Sequence, residues 1–375
     1  MSEWRSYHLH YTDVDRLILD CVHPFLRLWE NRLERRSWER HYAGGPHLRI
    51  RLSGPPSVVG KAGEELASQV GAFLARHPSP DIADYSEQRA ARLLEWEGTP
   101  AAPEGDLRYR NNVVEEHPYP GPGDVYASSE AARLMEDFRH DVLPLATRLL
   151  ASARPRREAL LRIYFLHALE VGGELPSGSV SFKSHWEGFS SCFRSPEVIE
   201  RIRSAYEVNR DHIGGLLAEV AGLHAGGRIE DDEDLSEWRR LLTLYGRRAE
   251  RTIGAGVHLT RQAADPGEAA RLRRQAAAFS LRESDFVSAL WADDVFLASI
   301  QYEPSFLVPR VLVNLLYTLV AAVGLKPLDK FALCHFSCRA VEEHSRCDLT
   351  DLLKVTIDRF VTRNAPRWSA AESIR

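Results

Sequence analysis

The sequence H-Y-A-G-G-P-H-L-R-I-R-L occupies residues 41–52 of the 375-residue chain. Its Gly-Gly-Pro step is typical of a tight turn. The alternation of Leu and Ile with Arg that follows has the two-residue period of a β-strand, with one apolar and one basic face. We therefore predict a turn that leads directly into a strand.

Arg49 and Arg51 are two residues apart on this predicted strand, so their side chains share one face. Paired guanidiniums can bind one carboxylate, one phosphate or a row of amide carbonyls through their planar sets of donors. An edge strand whose arginines only deter aggregation would show the same pattern. The pattern alone leaves both interpretations open.

Two other segments near the N-terminus also have strand-like patterns. Residues 4–11 read W-R-S-Y-H-L-H-Y and residues 107–116 read L-R-Y-R-N-N-V-V-E-E, whereas amphipathic helical patterns dominate after residue 126. We predict an α+β fold, with an antiparallel sheet built mainly from the N-terminal part and a predominantly helical second half. We expect one domain over residues 1–375, with a sheet-rich part at 1–125 and a mostly helical part at 126–375.

Composition excludes several classes of protein. With 44% hydrophobic residues, 27% charged residues and a net charge of −5, the chain gives no electrostatic reason to expect nucleic-acid binding. Five scattered cysteines fit reduced thiols, and we predict no metal site. The N-terminus lacks a secretory signal, and the apolar run at residues 311–325 is interrupted and too short to span a bilayer. We therefore predict a cytoplasmic protein without a membrane segment.

Candidate site residues lie at the end of the third predicted strand. Glu115, Glu116 and His117 precede a loop rich in Pro and Gly, and such a loop can aim side chains that a sheet holds in place. A solvated turn would carry the same residues, so both interpretations stay open.

Two later segments also combine polar groups with apolar surroundings. Residues 181–189 read S-F-K-S-H-W-E-G-F and include His185 and Trp186. A very apolar helix is predicted over residues 309–324, where Asn314 and Tyr317 are three residues apart and share a face. If buried, this amide and this phenol need hydrogen-bond partners, which can be structural groups or a substrate.

Several motifs together resemble a known family. W-x-x-x-H-L-x-Y at residues 4–11, G-G-P-H-L-R-I-R-L at 44–52 and S-H-W-E-G-F at 184–189 follow one another across the chain. In this the chain resembles the family typified by the C-terminal domain of lantibiotic dehydratases, also called the thiopeptide-type bacteriocin biosynthesis domain. The resemblance implies action on ribosomally made peptides.

The resemblance implies one of two reactions. Some members eliminate glutamate from glutamylated Ser or Thr, whereas stand-alone enzymes of thiopeptide pathways join two dehydroalanines in a formal four-plus-two aza-cycloaddition. The second reaction builds a pyridine-type ring that closes a macrocycle, with loss of water and the leader peptide. Neither reaction requires a cofactor, and no cofactor motif is present.

Departures from the family pattern favour the cyclase. Eliminating members have an arginine in an R-Y-G-G loop and a histidine in a late helix. Here the corresponding regions read E-E-H-P-Y-P-G at residues 115–121 and V-L-V-N-L-L-Y at 311–317. Because elimination needs a base for the α-proton and an acid for the leaving glutamate, the loss of these groups argues against it.

In the cyclase interpretation, one peptide bond must tautomerise while the second dehydroalanine is held against it, and orientation alone can supply roughly 7–11 kcal/mol. We assign catalytic roles to Tyr317 as proton donor or shuttle, to Glu115 or Glu116 as base, and to His185 as an alternative acid. Substrate-binding roles go to Arg49 and Arg51, which would steady carbonyls or a developing oxyanion, and to Asn314, Trp186 and His117.

Two alternatives belong to other classes of function. The chain could be the glutamate-eliminating lyase partner of a split dehydratase, or a non-catalytic protein that binds a precursor peptide. In every case the expected partner is a modified precursor peptide with its leader, together with upstream dehydratase and azole-forming enzymes. The sequence does not give the oligomeric state.

Overall fold

The N-terminal part contains a four-stranded antiparallel sheet with the order β2-β3-β1-β4. The computed structural model describes residues 2–42, 44–88, 90–91, 107–119, 127–193, 195–259, 284–293, 296, 299–300 and 303–372. Its strands are β1 (Glu3–His10), β2 (Arg35–His41), β3 (His47–Gly54) and β4 (Val113–His117). The prediction of an antiparallel sheet near the N-terminus is confirmed.

One face of the sheet is apolar and packs against helices. Leu9, Leu48, Ile50 and Leu52 are fully buried there, because the strand alternation places them all on one side. The covering helix is α3 (Pro56–Arg76), which contacts β1, β3 and β4. It also contacts a π-helical turn (Ile18–Val22) that lies between α1 (Val14–Leu17) and α2 (His23–Leu28). This packing fixes the sheet and leaves its other face for polar side chains.

The sheet differs from the sequence-based expectation at two strands. β2 was not predicted, because R-R-S-W-E-R-H has Trp38 as its single large apolar side chain. The strand predicted over residues 107–116 is shorter, since regular pairing begins at Val113. The side chains of Asn111 and Asn112 instead hydrogen-bond to Ser79, and Asn112 has a positive φ of 53°. These bonds keep Asn111 and Asn112 outside the strand pairing.

Helices make up most of the remaining described chain, which confirms the predicted helical second half. They are α4 (Ser129–Asp141), α5 (Leu143–Ala151), α6 (Arg156–Gly172), α7 (Leu175–Cys192), α8 (Pro196–Ala225), α9 (Glu233–Gly254), α10 (Asp285–Trp291), α11 (Pro304–Ala322), α12 (Pro327–Ser345) and α13 (Leu349–Glu372).

The α11 helix begins five residues before the predicted start, so Pro309 lies inside it. The apolar face continues upstream to Leu307, which is buried, and this burial opposes the hydrogen bond lost at the proline. By length and composition α11 is apolar enough to cross a membrane, with a mean hydropathy of 1.7, but half of that window is buried in the protein. A core helix of a soluble protein has the same properties.

Two compact units are present. The first comprises Met1–Ala153 and Tyr317–Pro327, and the second comprises Arg154–Leu316 and Leu328–Arg375. Within the first unit, Arg40 on β2 donates a hydrogen bond to the carbonyl of Ala322 at 3.0 Å. The first unit therefore includes a segment from late in the chain, and the expectation of a single domain stays a prediction.

In the second unit, α6 and α7 pack with their backbones in contact. A Cβ atom on Gly178 would collide with the carbonyl oxygen of Ala168, and one on Gly172 would collide with the backbone of Gly178. Backbone atoms cannot move aside as a flexible side chain can. Only glycine therefore fits at this crossing.

Replacing Gly178 by Ala is expected to lower the free energy of unfolding by about 1–3 kcal/mol, the usual cost of overpacking. Urea unfolding followed by circular dichroism measures it. Gly188 is the matched control, because it lies on the same helix and a Cβ there meets no atom within 4 Å. Gly188→Ala should stabilise the protein by about 0.5–1 kcal/mol. Equal urea midpoints for the two variants would contradict the close contact of the α6 and α7 backbones at Gly178.

Candidate functional site

The second face of the sheet is polar. Its residues alternate with the buried apolar ones along each strand, and cross-strand pairing brings them side by side. We call this set the polar sheet face: Ser6, His8, His10, Ser37, Glu39, His41, His47, Arg49, Arg51, Ser53, Glu115 and His117. It lies entirely in the first unit.

One row of this face runs across all four strands. Glu39 pairs with Arg49, Arg49 pairs with His8, and His8 pairs with Glu115. Directly opposed residues in an antiparallel sheet have Cβ atoms about 4.5–5.5 Å apart. The register thus places an acid, a guanidinium, an imidazole and a second acid in line.

Five histidines form what we call the imidazole cluster: His8, His10, His41, His47 and His117. The His8 ring stacks on His117 with centroids 4.0 Å apart and on His47 at 5.1 Å. The His47 ring also lies 4.5 Å from His10 and 5.0 Å from His41. Because imidazoles this close would repel if charged, the cluster favours neutral rings.

Burial is the main reason that His8, His10 and His41 are neutral. Burial, with the nearby Arg49 acting in the same direction, lowers the pKa of His8 to about 2. Burial likewise lowers the pKa of His41 to about 3 and that of His10 to about 4, although Glu115 opposes the shift at His10. At neutral pH these three rings therefore carry no charge and can accept hydrogen bonds.

His10 has an unusual position within the described residues. It is 1% exposed, and neither ring nitrogen has a hydrogen-bond partner there. The nearest carboxylate oxygen, from Glu115, is 3.7 Å from Nε2, beyond hydrogen-bond distance. Buried polar groups without partners are uncommon and often mark functional sites.

Glu115 and Glu116 lie on opposite faces of β4. The Glu115 carboxylate is 3.3 Å from Nε2 of His117 and 3.4 Å from the Arg110 guanidinium. Glu116 pairs with Tyr7 on the other face and is 3.4 Å from the Arg5 guanidinium. Of the two carboxylates proposed from the sequence as a base, only Glu115 is on the polar sheet face.

Arg51 contacts two carboxylates of the protein itself. It donates to Glu136 on α4 and to Glu39 on β2, each at 2.9 Å. Arg139 bonds the same two carboxylates at 3.1 Å, so the four side chains form a closed square. Glu39 also lies near enough to Arg49 for both guanidiniums to lower its pKa. The predicted role of Arg49 and Arg51 in substrate binding is untested.

Three members of the square are largely buried, whereas the side chain of Glu39 is 32% exposed. Burial raises the pKa of Glu39, but Arg139 and Arg51 outweigh it and lower that pKa to about 2. Glu136 is 4% exposed and also accepts a hydrogen bond from the Tyr119 hydroxyl at 2.7 Å. Glu136 was not identified from the sequence, where it is one acid among several on an amphipathic helix. The Pro- and Gly-rich loop beyond Tyr119 lies outside the described residues.

Asn314 and Tyr317 lie on α11 as predicted. Asn314 is exposed and Tyr317 is partly exposed, so the two polar groups mark the less buried side of this helix rather than its core. Tyr317 belongs to the first unit and Asn314 to the second. Their roles at a site stay predictions.

His185 and Trp186 lie within α7 of the second unit. Nδ1 of His185 donates to the Ser181 carbonyl at 2.7 Å, and burial lowers the pKa of this histidine. Trp186 is 3% exposed, and its ring lies 4.4 Å from that of His335. In this structure the indole serves packing, and the predicted roles of both residues are untested.

The sequence contained a signal for part of the imidazole cluster. His8 and His10 are two residues apart in W-R-S-Y-H-L-H-Y, as are His47 and Arg49 in H-L-R, so each pair shares a strand face. The predicted binding role of the Gly-Gly-Pro strand rested on its arginines alone. Among the described residues, no group of three or more His, Cys, Asp or Glu side chains is arranged to hold a metal ion.

Comparison with known proteins gives a family and a fold. The family described as Lantibiotic biosynthesis dehydratase C-term matches residues 4–341. No curated protein matches the chain in sequence.

Two solved structures share the fold over most of both chains. The pyridine synthase TbtD from thiomuracin biosynthesis has a TM-score of 0.66 and 24% identity, over 91% of this chain and 98% of its own. TsrL has a TM-score of 0.67 and 19% identity, over 94% of this chain and 98% of its own. At these identities the similarity establishes the fold alone.

Proposed function

The chain belongs to the Lantibiotic biosynthesis dehydratase C-term family, and from this premise we propose that it is a thiopeptide macrocyclase. It joins two dehydroalanines of a modified precursor peptide by a formal four-plus-two aza-cycloaddition. The observation that carries the proposal is the row Glu39, Arg49, His8 and Glu115 on the polar sheet face. Likeness in fold to a pyridine synthase of thiomuracin biosynthesis supports it.

The reaction requires a proton transfer and the alignment of two dehydroalanines. The N–H proton of one dehydroalanine amide must move to the amide oxygen, which gives a 2-azadiene, and the second dehydroalanine must lie against that diene. Two carbon–carbon bonds then form, after which water and the leader peptide leave. Holding both ends in register can supply roughly 7–11 kcal/mol, so few catalytic groups are needed.

The polar sheet face offers groups for the proton transfer. Glu115 is the base that takes the amide proton, and Arg49 binds the oxygen on which negative charge develops. The neutral ring of His8 stacks on that of His117, and the two imidazoles can pass the proton along. Arg51 supports this face through its bonds to Glu39 and Glu136, and we assign it no direct contact with the peptide.

Two further predicted roles belong to residues of the first unit. Tyr317 donates a hydrogen bond to the reacting amide, and His117 binds the peptide backbone. The roles predicted for His185 and Asn314, which lie in the second unit, stay predictions. The peptide comes with its leader from upstream dehydratase and azole-forming enzymes, and we place the protein in the cytoplasm with them.

Incubation with a dehydrated, azole-bearing precursor peptide tests the function. Mass spectrometry should detect a ring-bearing core that has lost water and the leader. A parallel incubation with a glutamylated peptide tests the lyase alternative, in which only glutamate is lost. If both peptides keep their masses but the leader binds, the protein is a binding protein and the macrocyclase proposal is wrong.

Tyr317→Phe is expected to slow ring formation about a hundredfold, because it removes one donor to a developing oxyanion. Steady-state kinetics with the dehydrated peptide measure the change, and leader affinity from calorimetry is the control. Tyr206→Phe is a matched variant, because that phenol is buried in the second unit, and it should leave the rate within about twofold. Equal rates for the two variants would remove Tyr317 from the site.

A further inference from the structure

His47 contacts two different groups through its two ring nitrogens. Nδ1 is 3.0 Å from the carbonyl oxygen of Gly45, and Nε2 is 3.3 Å from Nε of Arg49. A carbonyl oxygen can only accept and a guanidinium can only donate. Both contacts are hydrogen bonds only if Nδ1 carries the proton and Nε2 presents its lone pair, which defines one neutral tautomer.

The Gly-Gly-Pro turn holds the carbonyl that selects this tautomer. Gly45 has a φ of 103°, and a Cβ there would lie 2.9 Å from the Arg110 carbonyl oxygen and 3.1 Å from the Tyr109 ring. The backbone N–H of Arg110 donates to the Gly44 carbonyl at 2.7 Å. Because only glycine fits this conformation and this space, the turn is fixed against a neighbouring segment.

The surroundings keep His47 neutral. The side chain is 1% exposed, and burial lowers its pKa well below the usual value, with His10, His41 and Arg49 acting in the same direction. An imidazolium would have no lone pair for Arg49. The neutral ring therefore remains an acceptor throughout the neutral pH range.

We propose that His47 is a positioning residue for Arg49. The Gly45 carbonyl fixes the ring as the Nδ1–H tautomer, and its Nε2 accepts from Nε–H of Arg49, so the guanidinium plane is set before the peptide binds. This deepens the proposed function and rests on it, because the group so oriented is the one that binds the amide oxygen of the reacting peptide. The proposed role of His47 also gives a physical reason for the spacing G-P-H-L-R, because the turn carbonyl, the imidazole and the guanidinium must lie next to one another.

Two variants at residue 47 separate positioning from packing. His47→Leu fills the space but offers neither hydrogen bond, whereas the side-chain amide of His47→Gln can donate to Gly45 and accept from Arg49. We expect His47→Leu to lower kcat about tenfold, because a guanidinium that is no longer held in place is misaligned with the reacting amide, with KM within about twofold. His47→Gln should recover kcat to within about threefold of the unaltered protein. Equal losses in both variants, or none in either, would overturn the proposal.

A spectroscopic measurement on the full chain needs no turnover. In protein labelled with ¹⁵N-histidine, the His47 signals should report a protonated Nδ1 and an unprotonated Nε2, and Arg49→Lys should shift the Nε2 signal. An Nε2–H tautomer or an imidazolium would overturn the proposal even if His47→Leu fails to fold. Absence of ring formation by the unaltered protein would overturn the proposed function, and the nitrogen signals would still decide whether His47 holds Arg49.

Discussion

Replacing Glu115 by Gln is expected to slow ring formation by about 10²–10⁴-fold, the usual contribution of a positioned general base. The amide keeps the shape of the side chain but cannot take the proton of the reacting peptide bond. Its neighbours His117 and Arg110, at 3.3 and 3.4 Å from the carboxylate, remain in place. Leader affinity should therefore change little while kcat falls.

Glu116→Gln is the matched control for this prediction. The two glutamates are adjacent in sequence, but Glu116 pairs with Tyr7 on the opposite face and contacts Arg5. Its replacement should leave kcat within about twofold. Single-turnover mass spectrometry on both variants decides the matter, and a larger loss with Glu116→Gln than with Glu115→Gln would exclude the polar sheet face as the place of proton transfer.

Glu136→Ala is expected to lower the free energy of unfolding by about 3–5 kcal/mol, because it removes one member of a buried ion-pair network. The variant leaves Arg51 and Arg139, whose side chains are 12% and 13% exposed, with Glu39 as their shared carboxylate. It also leaves the Tyr119 hydroxyl without its acceptor.

Urea unfolding measures this loss, with Arg133→Ala as the control on the same helix. Arg133 is exposed, and surface substitutions of this kind usually change stability by less than about 0.5 kcal/mol. A Glu136→Ala variant as stable as the control would mean that the square contributes no net stability. In that case Arg51 would regain its place as a candidate peptide ligand.

The strand β3 could be predicted from the sequence because its apolar and polar residues alternate strictly. Leu48, Ile50 and Leu52 alternate with polar residues and did become the buried side of β3. β2 could not be read in this way, since charged side chains occupy most of its positions and its pairing with β3 is decided by tertiary contacts. The helical character of the second half was predictable. The start of α11 was not, because burial of Leu307 opposes the usual effect of Pro309.

Single residues of the candidate site could be predicted from the sequence, but their positions relative to one another could not. Arg49 and Glu115 both follow from strand patterns, yet that His8 lies between them depends on the register of two strand pairs. A slip of one residue in either pair would move a whole strand's side chains to the other face. The contact of Arg51 with Glu136, 85 residues away in the sequence, depends on how α4 packs and has no local signal.

The bond from Arg40 to Ala322 has a consequence for the newly made chain. The first unit needs residues 317–327, which emerge from the ribosome roughly 170 residues after residue 153. At about 5–20 residues per second, that interval is roughly 9–35 s. During this time the first unit lacks its last segment, so a chaperone that binds nascent chains would meet that unit in an unfinished state.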